Sequence, residues 1–156
     1  METVYLETTI FSYLTARPSR DVVVAGHQQT TAEWWAGRRM EFTCVISDFV
    51  LLEISRGDEE QAAARLRLAR GLSRLQSTAG VLRLSEQLLV AGAFPRNAEG
   101  DALHLALALT AGVDYLMTWN CAHLANARLM GKMHDVAGKA GWRLPVICTP
   151  DELMGD

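Results

Sequence analysis

Runs of apolar residues that do not alternate with polar ones constrain the fold of this chain more than any other feature. Residues 4–6 and 42–46 are such runs, and both are rich in β-branched and aromatic side chains. Because a strand covered on both faces meets no water on either side, continuous apolar runs are typical of buried strands in parallel sheets. Three further runs complete a set of five candidate strands: residues 81–84, residues 115–118 and Val146–Cys148.

Segments with a helical pattern alternate with these strands. They span residues 21–38, 48–55, 59–70, 85–91, 101–111 and 123–140. Ser47 and Ser85 are candidate N-caps for two of them. Because alternating strands and helices build a layered fold and no Pro- or Ser-rich linker divides the chain, we predict a single domain over residues 1–156. Its fold class is α/β, with a parallel sheet of four to five strands flanked by helices.

The composition is that of a globular protein, with 49% hydrophobic and 21% charged residues. No apolar run approaches the roughly 18 residues of a membrane span. The chain starts without the basic and apolar segments of a secretory signal, so we expect a cytoplasmic protein with no membrane partner. The net charge of −3 argues against a protein that coats nucleic acid through bulk electrostatics. Any nucleic-acid contact therefore requires a local basic patch.

The three cysteines, Cys44, Cys121 and Cys148, are odd in number and widely separated. Neither a disulfide framework nor a cysteine-rich zinc site fits this spacing. Because each cysteine has apolar neighbours, we expect three buried free thiols.

Three acidic residues occur where apolar segments end or are interrupted: Glu7, Glu53 and Asp101. A carboxylate among apolar side chains is costly to desolvate unless a positive group meets it, so three such residues suggest a shared cation. In open parallel sheets, ligands bind at the carboxyl ends of the strands, near the point where the strand order reverses. Glu7 ends the first strand, and Asn120 follows the fourth by two residues. The pattern predicts divalent-metal chemistry at this edge of the sheet.

Each acidic residue also has a purely structural interpretation. Glu7 can cap the following helix, Glu53 can form a buried salt bridge with an arginine, and Asp101 can interact with the dipole of the helix that it begins. His104 fits either the same cleft or a hydrogen-bonded core position, and His123 fits either substrate contact or a structural role. Structural interpretations explain single residues, whereas a shared cation explains the set.

Basic and aromatic residues supply candidate contacts with partners. Arg17 and Arg20 lie in the loop after the Glu7 segment and are candidates for phosphate contacts near the cleft. Three arginines would form one stripe if their helix continued, either as a solvated face or as a phosphate contact: Arg67, Arg70 and Arg74. Of the adjacent Trp34 and Trp35, core packing explains at least one, and an exposed one beside arginines could anchor a protein partner.

Four segments place polar residues next to strands and helix starts in a recognisable order. They are Val4-Tyr5-Leu6-Glu7-Thr8-Thr9, residues 47–54 with Gly57, Asp101-Ala102-Leu103-His104, and residues 114–120. With these segments the chain resembles, over nearly its whole length, the PIN-domain family of metal-dependent nucleases, and in particular the VapC-like toxins of bacterial toxin–antitoxin systems. The resemblance implies a PIN-like fold.

The resemblance also implies an endoribonuclease, with RNA as the substrate and Mg²⁺ or Mn²⁺ as the cofactor. Glu7, Glu53 and Asp101 would hold the ion, and Asn120 would complete the catalytic set by orienting water or phosphate. The ion would activate a water that hydrolyses an RNA phosphodiester. As the toxin of a pair, the protein would have a cognate antitoxin as a partner, and a homodimer is a further expectation.

Four more residues are candidates for positioning the substrate. Thr9 and Thr118 stand at the hydroxyl positions that accompany the acidic residues in the family. Arg17 and Arg20 are the basic residues that follow the first acidic segment most closely. We expect these four side chains to orient the RNA at the metal.

Two positions depart from the family pattern, which has aspartate at the first acidic site and usually at the last. Glu7 keeps the charge, but its extra methylene shifts the ligand oxygen by roughly 1.5 Å, which magnesium tolerates poorly. Asn120 keeps an oxygen but loses the charge, so a second metal would bind more weakly. An alternative function therefore stays open: a PIN-fold protein- or RNA-binding module with weak or lost catalysis. An aspartyl phosphatase is disfavoured, because Glu7-Thr8-Thr9 lacks its nucleophilic aspartate and second acid.

Overall fold

The structure, a computed structural model, describes residues 1–155. The strands are β1 (Thr3–Leu6), β2 (Thr43–Ser47), β3 (Ser73–Leu75), β4 (Tyr115–Met117) and β5 (Val146–Cys148). The α-helices are α1 (Thr8–Thr15), α2 (Val22–Gly37), α3 (Asp48–Ile54), α4 (Glu59–Ala69), α5 (Ala79–Val90), α6 (Glu99–Ala111) and α7 (Ala127–Lys139). Two short 3₁₀ helices span Arg39–Glu41 and Pro150–Leu153.

The strands form one sheet in the order β3-β2-β1-β4-β5, and every neighbouring pair is parallel. The prediction of an α/β fold with a parallel sheet of four to five strands is therefore confirmed. From β1 the strand order runs to β2 and β3 on one side and to β4 and β5 on the other. The order thus reverses between β1 and β4, and the cleft expected at such a point lies beyond their carboxyl ends.

The third strand differs from the sequence prediction. Residues 81–84 lie inside α5, where Val81, Leu84 and Leu88 are buried at the spacing of one helix face. Thr78 caps this helix by accepting from the backbone N–H of Val81, so the cap predicted at Ser85 is also wrong. The true third strand, β3, is an edge strand with an exposed arginine, which is why it shows no apolar run.

The junctions after β1 and β2 place two polar residues of the cleft. Glu7 is the N-cap of α1, a helix that the sequence patterns did not predict, and its carboxylate accepts from the N–H of Thr9. Ser47 ends β2 and caps α3 by accepting from the N–H of Val50, as predicted. Because each helix starts directly after its strand, both caps lie at the carboxyl edge of the sheet.

The core surrounds β1 and α6. All three apolar residues of β1 from Val4 to Leu6 are fully buried. In α6, Ala102 and every residue from His104 to Leu109 are buried, so this helix packs on most of its circumference. Within residues 1–155, no helix is both long enough and apolar enough to cross a membrane.

The cysteines are free thiols, but only Cys148 is buried. Burial raises the pKa of the Cys148 thiol to about 12 and that of the half-buried Cys44 to about 11. Cys121 is exposed, because it lies in the loop between β4 and α7 rather than in an element. The prediction of three buried thiols is therefore confirmed for Cys148 alone, because Cys44 is half-buried and Cys121 is exposed.

Candidate active site

The carboxylate of Glu7 is buried, and one of its two oxygens accepts several hydrogen bonds from the protein. Glu7 is only 4% exposed to solvent. The Oε2 atom accepts from the N–H of Thr9 at 3.0 Å, from the Thr9 hydroxyl and from the Thr118 hydroxyl at 2.8 Å. Within residues 1–155 the hydrogen bonds of this carboxylate all fall on Oε2. The Oε1 atom lies 3.8 Å from Nε2 of His104, which leaves it available to another ligand.

Glu53, near the end of α3, also has one carboxylate oxygen that accepts the hydrogen bonds from the protein. Its Oε1 atom accepts from the Thr8 hydroxyl at 2.6 Å and from Nε2 of His104 at 2.6 Å. Burial raises the pKa of Glu53, but the hydrogen bond from His104 and the charge of that ring when it is protonated, with a smaller effect of Thr8 and Arg56, outweigh it and lower the pKa. The residue that meets the Glu53 carboxylate is thus a histidine, and not the arginine that the salt-bridge interpretation expected.

His104 connects these two glutamates. The ring is 1% exposed and lies 4.8 Å, centroid to centroid, from the ring of Phe49. Its Nδ1 atom is 2.8 Å from the hydroxyl of Tyr5. Glu7, Glu53 and His104 each offer a ligand atom, and these atoms all lie within 4.8 Å of one another. The core, hydrogen-bonded interpretation of His104 is confirmed.

Asp101, in the first turn of α6, turns towards the loop after β4. Its Oδ1 atom accepts from Nδ2 of Asn120 at 2.8 Å, and its Oδ2 atom lies 2.7 Å from Nδ1 of His123. Asp101 is not a member of the close group formed by the two glutamates and His104. A cation shared by Glu7, Glu53 and Asp101 therefore stays a prediction.

Asn120 is held at both ends of its amide. Nδ2 donates to Asp101, and Oδ1 accepts from the backbone N–H of His123 at 3.1 Å. The oxygen that the sequence suggested as a ligand is thus used inside the loop. The N–H of Asn120 also donates to the hydroxyl of Thr118, which in turn donates to Glu7. Asn120 links the Asp101 side of the cleft to the Glu7 side.

The two predicted threonines bind the protein rather than face outward. Thr118 is fully buried. The Thr9 hydroxyl donates to Glu7 and accepts from the N–H of Trp119 at 2.9 Å. Any effect of Thr118 on a substrate must therefore pass through Glu7.

Arg17 and Arg20 are exposed in the loop between α1 and α2, and no salt bridge ties them within residues 1–155. Their role in substrate contact stays a prediction. The proposed arginine stripe is wrong, because α4 ends at Ala69, Gly71 has a φ of +85° and Arg74 lies on β3. A glycine in that conformation ends the helix at little cost.

The tryptophan pair on α2 is divided between core and surface. Trp34 is fully buried. Trp35 is half-buried, and the guanidinium of Arg39 lies 4.5 Å from its ring centroid. This arrangement agrees with the expectation that core packing explains at least one of the two.

Two features of the site gave little signal in the sequence. Tyr5 looks like an ordinary strand residue in the sequence, yet its hydroxyl contacts both Ser47 and His104 at 2.8 Å.

Trp119 is the second such feature. It stacks on His27 with ring centroids 4.0 Å apart, and its Nε1 donates to the hydroxyl of Thr31 at 2.8 Å. These contacts fix the loop that carries Asn120 against α2, and the position of Trp119 between Thr118 and Asn120 is the only signal that could have pointed to them.

Comparisons with known proteins connect the fold to solved structures. No protein-family model and no curated protein matches the chain. The crystal structure of VapC20 from Mycobacterium tuberculosis, a Sarcin-Ricin loop cleaving toxin, is similar with a TM-score of 0.61 and 18% identity, over 78% of this chain and 93% of that one. The crystal structure of VapBC2 from Rickettsia felis, bound to a DNA fragment from its promoter, is similar with a TM-score of 0.58 and 17% identity, over 94% of this chain and 98% of that one. At these identities the similarity concerns the fold.

Proposed function

Because the chain has a VapC-like PIN-domain fold, we propose that it is a metal-dependent endoribonuclease and the toxin of a toxin–antitoxin pair. The observation that carries the proposal is the convergence of Glu7 and Glu53, from separate segments, at the point where the strand order reverses. One structural neighbour is a Sarcin-Ricin loop cleaving toxin, which supports an RNA substrate, and another is a VapBC assembly, which supports an antitoxin partner.

The donor set fits a hard divalent cation. Glu7 and Glu53 each have one oxygen bound by protein donors and a second oxygen without a hydrogen bond within residues 1–155. Carboxylate oxygens are the ligands that Mg²⁺ and Mn²⁺ prefer. In the proposal Asp101 is the third ligand. When bound, the ion would polarise a phosphate and lower the pKa of a water that attacks in line and displaces the RNA 3′ oxygen.

The other residues hold the carboxylates and the substrate. Thr9 and Thr118 restrain Glu7, and Asn120 restrains Asp101, through the hydrogen bonds described above. Arg17 and Arg20 would contact RNA phosphates, which a protein of net charge −3 needs from a local basic loop. An RNA substrate would place the activity in the cytoplasm. In the part of the chain that the structure describes, one sheet and one hydrophobic cluster support the proposal of a single domain.

RNA cleavage with and without Mn²⁺ tests the proposal. The purified protein should cut a single-stranded RNA when Mn²⁺ is added and not in EDTA. Glu53→Gln and Asp101→Asn should each lower the rate by at least a hundredfold, with unchanged circular dichroism. Glu60→Gln, at an exposed position in the first turn of α4, is the matched control and should cut at the wild-type rate. Equal cleavage by all four proteins would rule out this site as the source of activity.

A binding module with weak or lost catalysis is the second candidate. It is favoured by Asn120, whose amide nitrogen donates to Asp101 and whose amide oxygen accepts from His123, and which brings no charge to the cleft. Such a module would bind RNA or an antitoxin without metal-dependent turnover, and Trp35 with Arg39 is a candidate anchor for a protein partner or a homodimer. Binding of the same RNA in Mn²⁺ without cleavage would favour this function over the nuclease.

A further inference from the structure

A buried chain of hydrogen bonds crosses the core and ends on Glu53. The Ser47 hydroxyl lies 2.8 Å from the Tyr5 hydroxyl, which lies 2.8 Å from Nδ1 of His104. Nε2 of His104 lies 2.6 Å from Oε1 of Glu53. Ser47 and Tyr5 are fully buried and His104 is 1% exposed. A polar chain at this depth is stable only when every member has a partner, so each group depends on the next.

With a neutral imidazole, the donors and acceptors along the chain pair consistently. The carboxylate of Glu53 only accepts, so Nε2 of His104 carries a hydrogen and donates to it. In the neutral ring Nδ1 then accepts from Tyr5, and Tyr5 accepts from Ser47. The Ser47 hydroxyl can donate that hydrogen while its oxygen accepts from the N–H of Val50.

The end of the chain fixes one oxygen of Glu53 and leaves the other open. Oε1 receives both Thr8 and His104, which stops the carboxylate from rotating. Beside Oε2 stands Gly100, where an added Cβ would lie 3.9 Å from that oxygen and 3.3 Å from the ring of Phe49. The glycine therefore keeps the space next to Oε2 clear of a side chain.

His104 is better suited to hold Glu53 than to bind an ion together with it. Two ligands at right angles on an ion with bonds of about 2.1 Å lie about 3.0 Å apart. The 2.6 Å between Nε2 and Oε1 is shorter than this and is the distance of a charge-assisted hydrogen bond. The imidazole hydrogen lies between the two atoms, where an ion would have to enter.

We propose that Tyr5 and His104 are positioning residues that hold Glu53 by Oε1, present Oε2 to the cleft and so set its affinity for a divalent cation. This inference rests on the proposed metal site. Histidines and carboxylates that orient a ligand in this way typically change metal affinity by 10- to 100-fold when they are replaced.

Titration of the metal-free full-length protein with Mn²⁺, followed by calorimetry, tests the proposal without an activity assay. His104→Asn, which cannot reach Glu53, should raise the Kd for Mn²⁺ by 10- to 100-fold. His104→Gln, whose amide nitrogen can replace Nε2 as the donor to Glu53 but which offers Tyr5 no acceptor in place of Nδ1, should lose less affinity than His104→Asn and about as much as Tyr5→Phe. Tyr5→Phe, which removes one oxygen, should raise the Kd by at least threefold.

A double variant separates positioning from general destabilisation. If Tyr5 acts only through His104, Tyr5→Phe should add no further loss of Mn²⁺ affinity to His104→Asn, although it can add to the loss of thermal stability. Additive effects on the Kd would overturn the proposed chain. If His104→Asn does not fold, Tyr5→Phe and His104→Gln still decide, because the proposal requires a similar loss of Mn²⁺ affinity from both, and wild-type affinity in either would overturn it.

Glu53→Gln distinguishes failure of this inference from failure of the metal site. If Glu53→Gln leaves the Kd for Mn²⁺ unchanged, the proposed metal site itself is wrong. If it weakens binding while His104→Asn and Tyr5→Phe bind like the wild type, the metal site stands and the positioning role is wrong. If His104→Gln loses as much affinity as His104→Asn, the imidazole itself is needed as a ligand, which also overturns the inference.

Discussion

Asn120 is a residue whose two polar atoms are both used by its neighbours. Its Nδ2 donates to Asp101 at 2.8 Å, and its Oδ1 accepts from the backbone of His123 at 3.1 Å. An aspartate at this position would face the carboxylate of Asp101 at hydrogen-bond distance with no hydrogen between them. The amide therefore stabilises Asp101 without a cation, whereas a carboxylate would need one.

Asn120→Asp should make the stability of the protein depend on metal. In EDTA we expect a loss of about 1–2 kcal/mol from like-charge repulsion, which corresponds to a fall in Tm of roughly 2–8 °C. Mn²⁺ should raise the Tm of the variant more than that of the wild type. Thermal unfolding in EDTA and in Mn²⁺ measures both effects. Asn126→Asp, at the N-cap of α7, is the control, and equal Mn²⁺ shifts in all three proteins would exclude position 120 from the metal site.

The position of α3 is fixed by the two residues at its junction with β2, Ser47 and Asp48. Ser47 caps α3, and Asp48 accepts from the N–H of Ser77 at 2.9 Å and from the Ser77 hydroxyl at 2.7 Å. Partial burial raises the pKa of Asp48, but the hydrogen bonds from Ser77 outweigh it and lower the pKa below its ordinary value of 3.8. The contact ties α3, and with it Glu53, to the segment that leads into α5.

Asp48→Asn should reduce stability by about 1–2 kcal/mol near neutral pH, because it removes a charged acceptor from two donors. A lowered folded-state pKa stabilises the protein above the unfolded pKa, and this contribution is lost as the pH falls through the folded pKa. The difference between wild type and variant should therefore shrink below about pH 4. Urea unfolding across this range measures it. Asp58→Asn, at the cap of α4, is the control, and a difference that does not change with pH would contradict the assigned charge.

The whole molecule assembles its cleft from segments that are far apart in the chain. The strand order makes β1 and β4 neighbours, so Glu7 meets Thr118 across 111 residues. Helix α1 then carries the chain about 12 Å away before the exposed loop with Arg17 and Arg20 begins. With a net charge of −3, the molecule needs such a loop if it is to bind RNA near the cleft.

Arg17→Ala combined with Arg20→Ala should weaken RNA binding and its dependence on salt. Each lost phosphate contact should reduce the slope of log K against log salt by about 0.7, or about 1.4 for both. Fluorescence anisotropy with a labelled single-stranded RNA in EDTA measures binding without cleavage. The double variant of Arg67 and Arg70, which are exposed on and just after α4, is the matched control. A slope that stays at the wild-type value in the first variant would remove Arg17 and Arg20 from the RNA interface.

Local patterns in the sequence predicted the elements whose residues are buried to a similar degree from one end to the other. The runs that form β1, β2, β4 and β5 were recognised because buried parallel strands are apolar on both faces. The edge strand β3 was missed because its exposed residues are polar, and residues 81–84 were misassigned because four apolar residues fit a strand as well as one turn of a helix. Helix α1 was missed because it is short and is made largely of β-branched and aromatic residues, which have low helix propensity.

The amino-acid sequence by itself determined the α/β class, the parallel sheet and the position of Glu7 at a strand end, because continuous apolar runs mark strands that are covered on both faces. Only the tertiary structure decided which side chains meet. Glu53 pairs with His104, and Asp101 pairs with Asn120 and His123, across separations of 19 to 51 residues. Side chains so far apart along the chain meet through the packing of whole elements, which no local pattern encodes.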